Sequence, residues 1–166
     1  EETKVLPKID DFNYLTAIGD SVLNIELLQE HCPKVVFTPI HGTGAISSVP
    51  GLWELGANIK VFDEQNDFDP NFSSVQSPNP ENTEALSKAI NFAKKTNSDV
   101  VLGTDPDCDR VGIAVKNQKN FECLTGNQVG AILAEYRFQE LQRKQILKPE
   151  NSKGFCILKT FVTSGL

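Results

Sequence analysis

No apolar run in this 166-residue chain approaches the roughly 20 residues that a membrane-spanning helix needs, so no membrane partner is expected. Basic clusters are as scarce. Sixteen Lys and Arg stand against 22 Asp and Glu, a net charge of -6, and the one short basic tract is Arg143-Lys144 on an expected helix. A nucleic-acid partner would need a positive face, so none is expected. Cys32, Cys108, Cys123 and Cys156 show no CxxC spacing and no nearby pair of histidines, which argues against zinc. Four such cysteines suit a reducing compartment. The opening Glu1-Glu2-Thr3 has neither the basic nor the apolar part of a signal peptide, so a cytoplasmic location is the expectation. What remains, 39% hydrophobic and 23% charged residues, fits one globular domain with a sizeable core.

The most informative stretch is Asp105-Pro106-Asp107-Cys108-Asp109-Arg110. It follows the apolar Val100-Val101-Leu102, which reads as a buried strand, and Gly103-Thr104. Three carboxylates at alternate positions repel one another, so either some take up protons or a cation keeps them ionised. Fully extended, the first and third would lie ~13 Å apart, too far to share one ion, so the loop has to curl. Pro106 fixes one φ of that curl. Oxygen ligands select hard ions such as Mg2+, Mn2+ or Ca2+, and three of them leave about half an octahedron for water or phosphate oxygens. Arg110 adds a planar fork suited to phosphate.

A solvated acidic turn is the plain alternative. An EF-hand would need Gly and Glu where Arg110 and Lys116 stand, so that alternative fails. A phosphatase with an aspartyl nucleophile would need a small hydroxyl residue where this loop has Asp109 and Arg110.

Along the chain, residues 1–9 read as a tether. Phe12, Leu15, Ile18, Val22, Ile25 and Leu28 recur at three- and four-residue spacing and predict one amphipathic helix from Asp10 to about Cys32, ended by Pro33. Val35-Val36-Phe37 predicts a strand leading into Pro39-Ile40-His41-Gly42-Thr43-Gly44. Gly42 and Gly44 allow a tight turn that brings N–H groups to an anion or to another segment, although a plain strand-to-helix turn would use the same residues. His41 could donate to a phosphate, support the acidic loop, or simply bond the backbone.

A helix over Ala45–Leu55 containing Pro50 and capped by Gly56, then a strand Ile59–Phe62, come next. A long connection spans 63–80, and a helix is predicted with Asn79 as N-cap and Pro80 at its first position. Its apolar face is Ala85, Leu86, Ala89, Ile90 and Ala93. Val111–Val115 and Phe121–Leu124 predict a hairpin. A helix opening at Gly126-Asn127, with Val129, Ile132, Leu133 and Tyr136 on one face, is expected to close at Lys148-Pro149, and Phe155–Leu158 reads as a last strand. The sum is a three-layer α/β/α domain with a mixed, largely parallel sheet.

Six blocks in this order carry a resemblance. They are Thr38-Pro39-Ile40-His41-Gly42-Thr43-Gly44; Glu64-Gln65 with Asp69-Pro70 and Phe72; Pro78-Asn79-Pro80-Glu81; Asp105 to Arg110; Thr125-Gly126-Asn127-Gln128; and Lys159-Thr160 with Val162-Thr163-Ser164. Together they resemble the second domain of the α-D-phosphohexomutases, in the phosphoglucomutase and phosphomannomutase branch, from about residue 10 onward.

The resemblance implies a four-domain phosphosugar mutase in which residues 10–158 are the metal-binding domain and 159–166 begin a linker to a third domain. It implies that Asp105, Asp107 and Asp109 bind one Mg2+, that Arg110 orients a phosphoserine from the first domain, and that Lys159 is a catalytic proton carrier or phosphate partner. The implied partners are a phosphosugar substrate and the remaining domains of the same protein. No Thr-x-Ser-His-Asn-Pro-like serine loop and no Gly-Glu-Glu-Ser-Gly-like sugar loop occurs in the sequence, so the chain alone is expected to be inactive. A stand-alone module binding a phosphorylated partner is the rival expectation.

Overall fold

The computed structural model describes residues 8–160. Val162, Thr163 and Ser164, most of the tether and most of the linker start lie outside the described residues. Five strands form one mixed sheet, β1 (Lys34–Thr38), β2 (Asn58–Val61), β3 (Val100–Thr104), β4 (Val111–Asn117) and β5 (Asn120–Leu124), in the order β2-β1-β3-β4-β5. β1 pairs in parallel with β2 and with β3, whereas β3–β4 and β4–β5 are antiparallel. This matches the mixed α/β sheet expected, with the expected hairpin at one edge.

Helices cover both faces. α4 (Thr83–Thr96) lies over β1, β3, β4 and β5, and α3 (Ala45–Glu54) lies against β2 and β1 on the other side. Because β1 is central and covered twice, Val35, Val36, Phe37 and Thr38 are all buried, as a strand between two helical layers requires. The main core joins Val36, Val101 and Ala114 of the sheet to Ala85, Leu86, Ala89, Ile90 and Ala93 of α4, with Ile40 and Phe62. Three alanines on that face let α4 sit close to the strands, and each fully buried Leu, Ile or Phe contributes ~1.5–3 kcal/mol. Among the described residues, no helix is long and apolar enough to cross a membrane.

Several expected elements differ. The single helix over 10–32 is two, α1 (Lys8–Gly19) and α2 (Ile25–His31), because Asn24 caps the second by accepting from the Leu27 N–H at 3.1 Å. Apolar spacing runs across the break and does not register it. The α4 helix starts at Thr83 rather than at Pro80. The Asn79 side chain accepts from the Glu81 N–H in a local turn, and Pro80 is buried against β4, where a Cβ on Gly112 would lie 2.0 Å from the Pro80 carbonyl oxygen.

The helix after the hairpin, α5 (Gly126–Arg143), opens with a capping box between Thr125 and Gln128 but stops well short of Pro149. Gln145 turns left-handed after it, and Pro149 instead begins a 3-10 turn, Pro149–Gly154. The expected α5 face is not a core face, for Ile132 and Leu133 are 57% and 54% exposed. Phe155–Leu158 forms no strand, and Leu158 is 91% exposed. A short apolar run becomes a strand only where a sheet edge accepts its hydrogen bonds.

Candidate metal centre

β1 is the strand at which the chain reverses its direction of travel across the sheet, with β2 on one side and β3 on the other. In open α/β sheets, ligands sit beyond the carboxyl ends of the strands at such a switch point. Thr38 and Gly103 are register partners there, so the loops that follow them, residues 39–44 and 105–110, lie side by side.

Gly42 is pressed onto Pro106, whose Cα would be 2.2 Å from a Cβ at that position. The Thr43 N–H and hydroxyl both donate to the Pro106 carbonyl, at 2.9 and 3.2 Å. Gly44 faces the Thr104 hydroxyl, which would be 2.2 Å from its Cβ and which has no hydrogen-bond partner among the described residues. Both glycines are therefore needed for close approach, and neither is needed for a positive φ.

The acidic loop curls as its composition requires. The Asp105 N–H and the Arg110 carbonyl close its base at 3.4 Å, and Cys108 takes a left-handed conformation with φ 64°. One carboxylate oxygen from each of Asp105, Asp107 and Asp109 then lies within 4.8 Å of the others. An ion with ~2.1 Å bonds wants oxygen separations of roughly 3–4 Å, so the donors fit a small hard cation after modest rotation of the two exposed acids. Asp105 is buried, while Asp107 and Asp109 are exposed.

Asp105 also holds Arg110, accepting from its backbone N–H at 2.9 Å and from its Nε at 2.8 Å. That geometry occupies Nε and leaves the two terminal nitrogens of a half-exposed guanidinium for another anion. Burial pushes the Asp105 carboxyl up, but the Arg110 N–H and guanidinium, with hydrogen bonds from Asp109 and Asp107, outweigh it and hold the group below the ordinary carboxylate range. Asp109 moves the opposite way, raised by its hydrogen bond with Asp105 and by repulsion from Asp107 and Asp105.

His41 does not face this loop. It is buried, and its ring reaches back to the Asp67 carbonyl and the Ser74 hydroxyl, so it is not placed to donate to a phosphate. Lys159 lies in the exposed stretch that follows the last regular element. A cleft of about 670 Å³ runs from α1 and α3 to the acidic loop, with Leu15, Ile18, Leu52 and Leu55 among its apolar walls and Thr43, Thr104 and Asp107 among its polar ones. Thr43 and Gln65, named in the motif blocks without a role, and Ser74, not named at all, are the contributors that sequence reasoning left unassigned. Thr43 could have been found from its position between two glycines.

The sequence pattern described as "Phosphoglucomutase/phosphomannomutase, alpha/beta/alpha domain II" matches residues 13–119. The chain belongs to the phosphoglucomutase/phosphomannomutase family. It is 41% identical over 128 residues to the phosphoglucomutase of Staphylococcus aureus (strain N315), covering 73% of this chain and 23% of that protein. The chain thus spans about a quarter of the length of the phosphoglucomutases it matches. A solved phosphoglucomutase/phosphomannomutase family protein from Burkholderia thailandensis has the same fold, with TM-score 0.54 at 20% identity over 76% of this chain and 26% of that one. A solved structure from Thermus thermophilus superposes with TM-score 0.60 at 24% identity over 79% of this chain and 28% of that one.

In this family member the loop leading away from β2 is tied down by its own acid. Asp69 accepts from the Asn71 and Ser73 N–H groups at 2.9 and 2.8 Å, which hold its carboxyl below the ordinary range. A depressed folded pKa means the caps contribute above the unfolded value of ~3.9 and are lost as pH falls through the folded value. The amide proton resonances of Ser73 and Asn71 are expected to shift upfield only as the pH falls below the ordinary carboxylate range. Resonances that stay put would show that the turn does not depend on the charge.

Proposed function

We propose that this chain is the Mg2+-binding domain of a phosphosugar mutase that interconverts sugar 1-phosphates and 6-phosphates through a phosphoserine and a bisphosphate intermediate. The observation that carries the reading is the convergence of Asp105, Asp107 and Asp109 beside an arginine whose Nε is anchored and whose terminal nitrogens are not. Asp107 and Asp109 would hold the ion from the solvent side and Asp105 from the buried side, and Mg2+ would supply neutralisation of charge on the transferring phosphoryl group.

The chain's own residues act by position. Asp105 sets the plane of the Arg110 guanidinium, whose outer nitrogens would orient the phosphoserine carried by another domain. Lys159 would carry a proton or pair with phosphate once its stretch packs against a neighbouring domain. The sugar, a glucose, mannose or pentose phosphate, would be held by other domains, and the protein would work in the cytoplasm. By itself the 166-residue chain would bind the ion and turn over no substrate, since the sequence contains no serine loop.

Calorimetric titration of the chain with Mg2+ tests this, with binding expected for the wild type and lost in Asp107→Ala. Equal heats for the two proteins would remove the metal assignment and favour a module that binds a phosphorylated partner through Arg110 alone.

A further inference from the structure

We propose that His41 is a positioning residue for the acidic loop: its ring fixes the turn that clamps the Pro106 carbonyl, and so sets how closely the three carboxylates converge. The inference rests on the metal reading above and adds a residue that touches neither ion nor substrate.

Ile40 and His41 are consecutive left-handed residues, with φ of 45° and 62°. A β-branched residue there is a genuine outlier, and such conformations persist only where their surroundings impose them. Ile40 is held by complete burial in the core and by its N–H, which donates to the Thr38 hydroxyl at 3.2 Å. His41 is held by its N–H, which donates to the Gln65 carbonyl at 2.8 Å, and by both ring nitrogens.

Those nitrogens close a network in which every donor has a place. The Thr38 hydroxyl donates to Gln65 Oε1 at 2.7 Å, and Gln65 Nε2 donates to the Ser74 hydroxyl oxygen at 3.0 Å. Ser74 then has its own proton to give to His41 Nε2 at 2.7 Å, leaving Nδ1–H to donate to the Asp67 carbonyl at 2.8 Å. The neutral ring protonated at Nδ1 is the assignment that satisfies all members. It ties the end of β1 to the 63–75 connection at three points.

The turn so fixed delivers Gly42 and Thr43 to Pro106. Thr43 donates twice to the carbonyl that links Pro106 to Asp107, and Gly42 leaves no room for that peptide to move toward β1. Without the ring the turn can relax toward right-handed φ, the Pro106 carbonyl loses its two donors, and Asp107 swings away from Asp105. Partners one step removed from metal ligands commonly change affinity 10- to 100-fold when lost.

The experiment uses Mn2+ as a paramagnetic probe, with bound ion read by electron paramagnetic resonance on the 166-residue chain. His41→Gly keeps left-handed φ accessible and removes only the ring, and it is expected to weaken Mn2+ binding about tenfold. Ser74→Ala keeps the ring but removes both its Nε2 partner and the acceptor of Gln65 Nε2, and is expected to weaken binding by roughly threefold. Ile90→Ala, a cavity on the α4 side of the core that leaves the hydrogen bonds of the turn in place, controls for lost stability and is expected to bind Mn2+ as the wild type does at a temperature where it is folded. His41→Gly and Ser74→Ala binding as tightly as Ile90→Ala would overturn the inference, and Ser74→Ala decides alone if His41→Gly does not fold. Asp107→Ala run alongside separates the two readings. If it retains Mn2+, the metal assignment itself is wrong; if it loses Mn2+ while His41→Gly does not, only the role of His41 is.

Discussion

Asp105→Ala is expected to lose divalent-ion binding and roughly 3 kcal/mol of folding stability together, whereas Asp107→Ala loses binding with stability unchanged within about 0.5 kcal/mol. The difference comes from burial. Asp105 is fully buried and accepts two hydrogen bonds from Arg110, one from backbone and one from the guanidinium, so it is a structural bolt of the loop as well as an ion ligand. Hydrogen bonds to charged groups contribute ~1.5–3 kcal/mol each, and removing the acceptor from a buried position forfeits most of that. Arg110 is half exposed and regains water for its guanidinium, which keeps the loss from being larger. Asp107 is exposed and points at the site, so its removal costs the ion and little else. Urea unfolding and Mg2+ calorimetry on both variants check the split, and equal stability losses would show that burial does not distinguish the two acids.

Gly42→Ala should be nearly as damaging, and for a steric reason. An added Cβ would meet three backbone atoms of Pro106 at 2.2, 2.4 and 2.6 Å. Backbone on both sides means no flexible side chain can yield, so the two loops must part, at a cost near the ~3 kcal/mol upper end for overpacking. The Thr43 bonds to the Pro106 carbonyl go with them, and Mg2+ affinity is expected to fall tenfold or more. Gly130→Ala on α5 is the contrast, since nothing lies within 4 Å of its Cβ and a helical Gly→Ala change stabilises by up to ~1 kcal/mol. Thermal melts of the pair should move in opposite directions, and a Gly42→Ala protein that melts like wild type would mean the loops do not press together as described.

Where the sequence was read correctly, the signal was local and strong. Val100-Val101-Leu102 before a run of alternate acids needed no tertiary information to read as a strand feeding a charged loop, and the residues of α4 that face the core were named from periodicity alone. Errors fell where two local signals compete. Asn24 inside an unbroken apolar rhythm made two helices from one, and Asn79-Pro80, a good helix start by composition, became a turn because Pro80 packs against Gly112. Phe155–Leu158 has strand composition but pairs with neither outer strand, β2 or β5, and composition along the chain does not specify pairing.

The chain alone determined its family, its α/β/α architecture and the acids that could hold a cation, because periodicity, ordered motifs and charge spacing are all written along one dimension. Only the folded arrangement decided that Asp105 is a buried anchor while Asp107 and Asp109 are exposed, that His41 looks inward, and that Gly42 and Thr43 grip Pro106. These depend on residues far apart in the chain meeting where β1 and β3 lie parallel, and such meetings follow from sheet register and the switch in strand order, which no stretch of sequence encodes by itself.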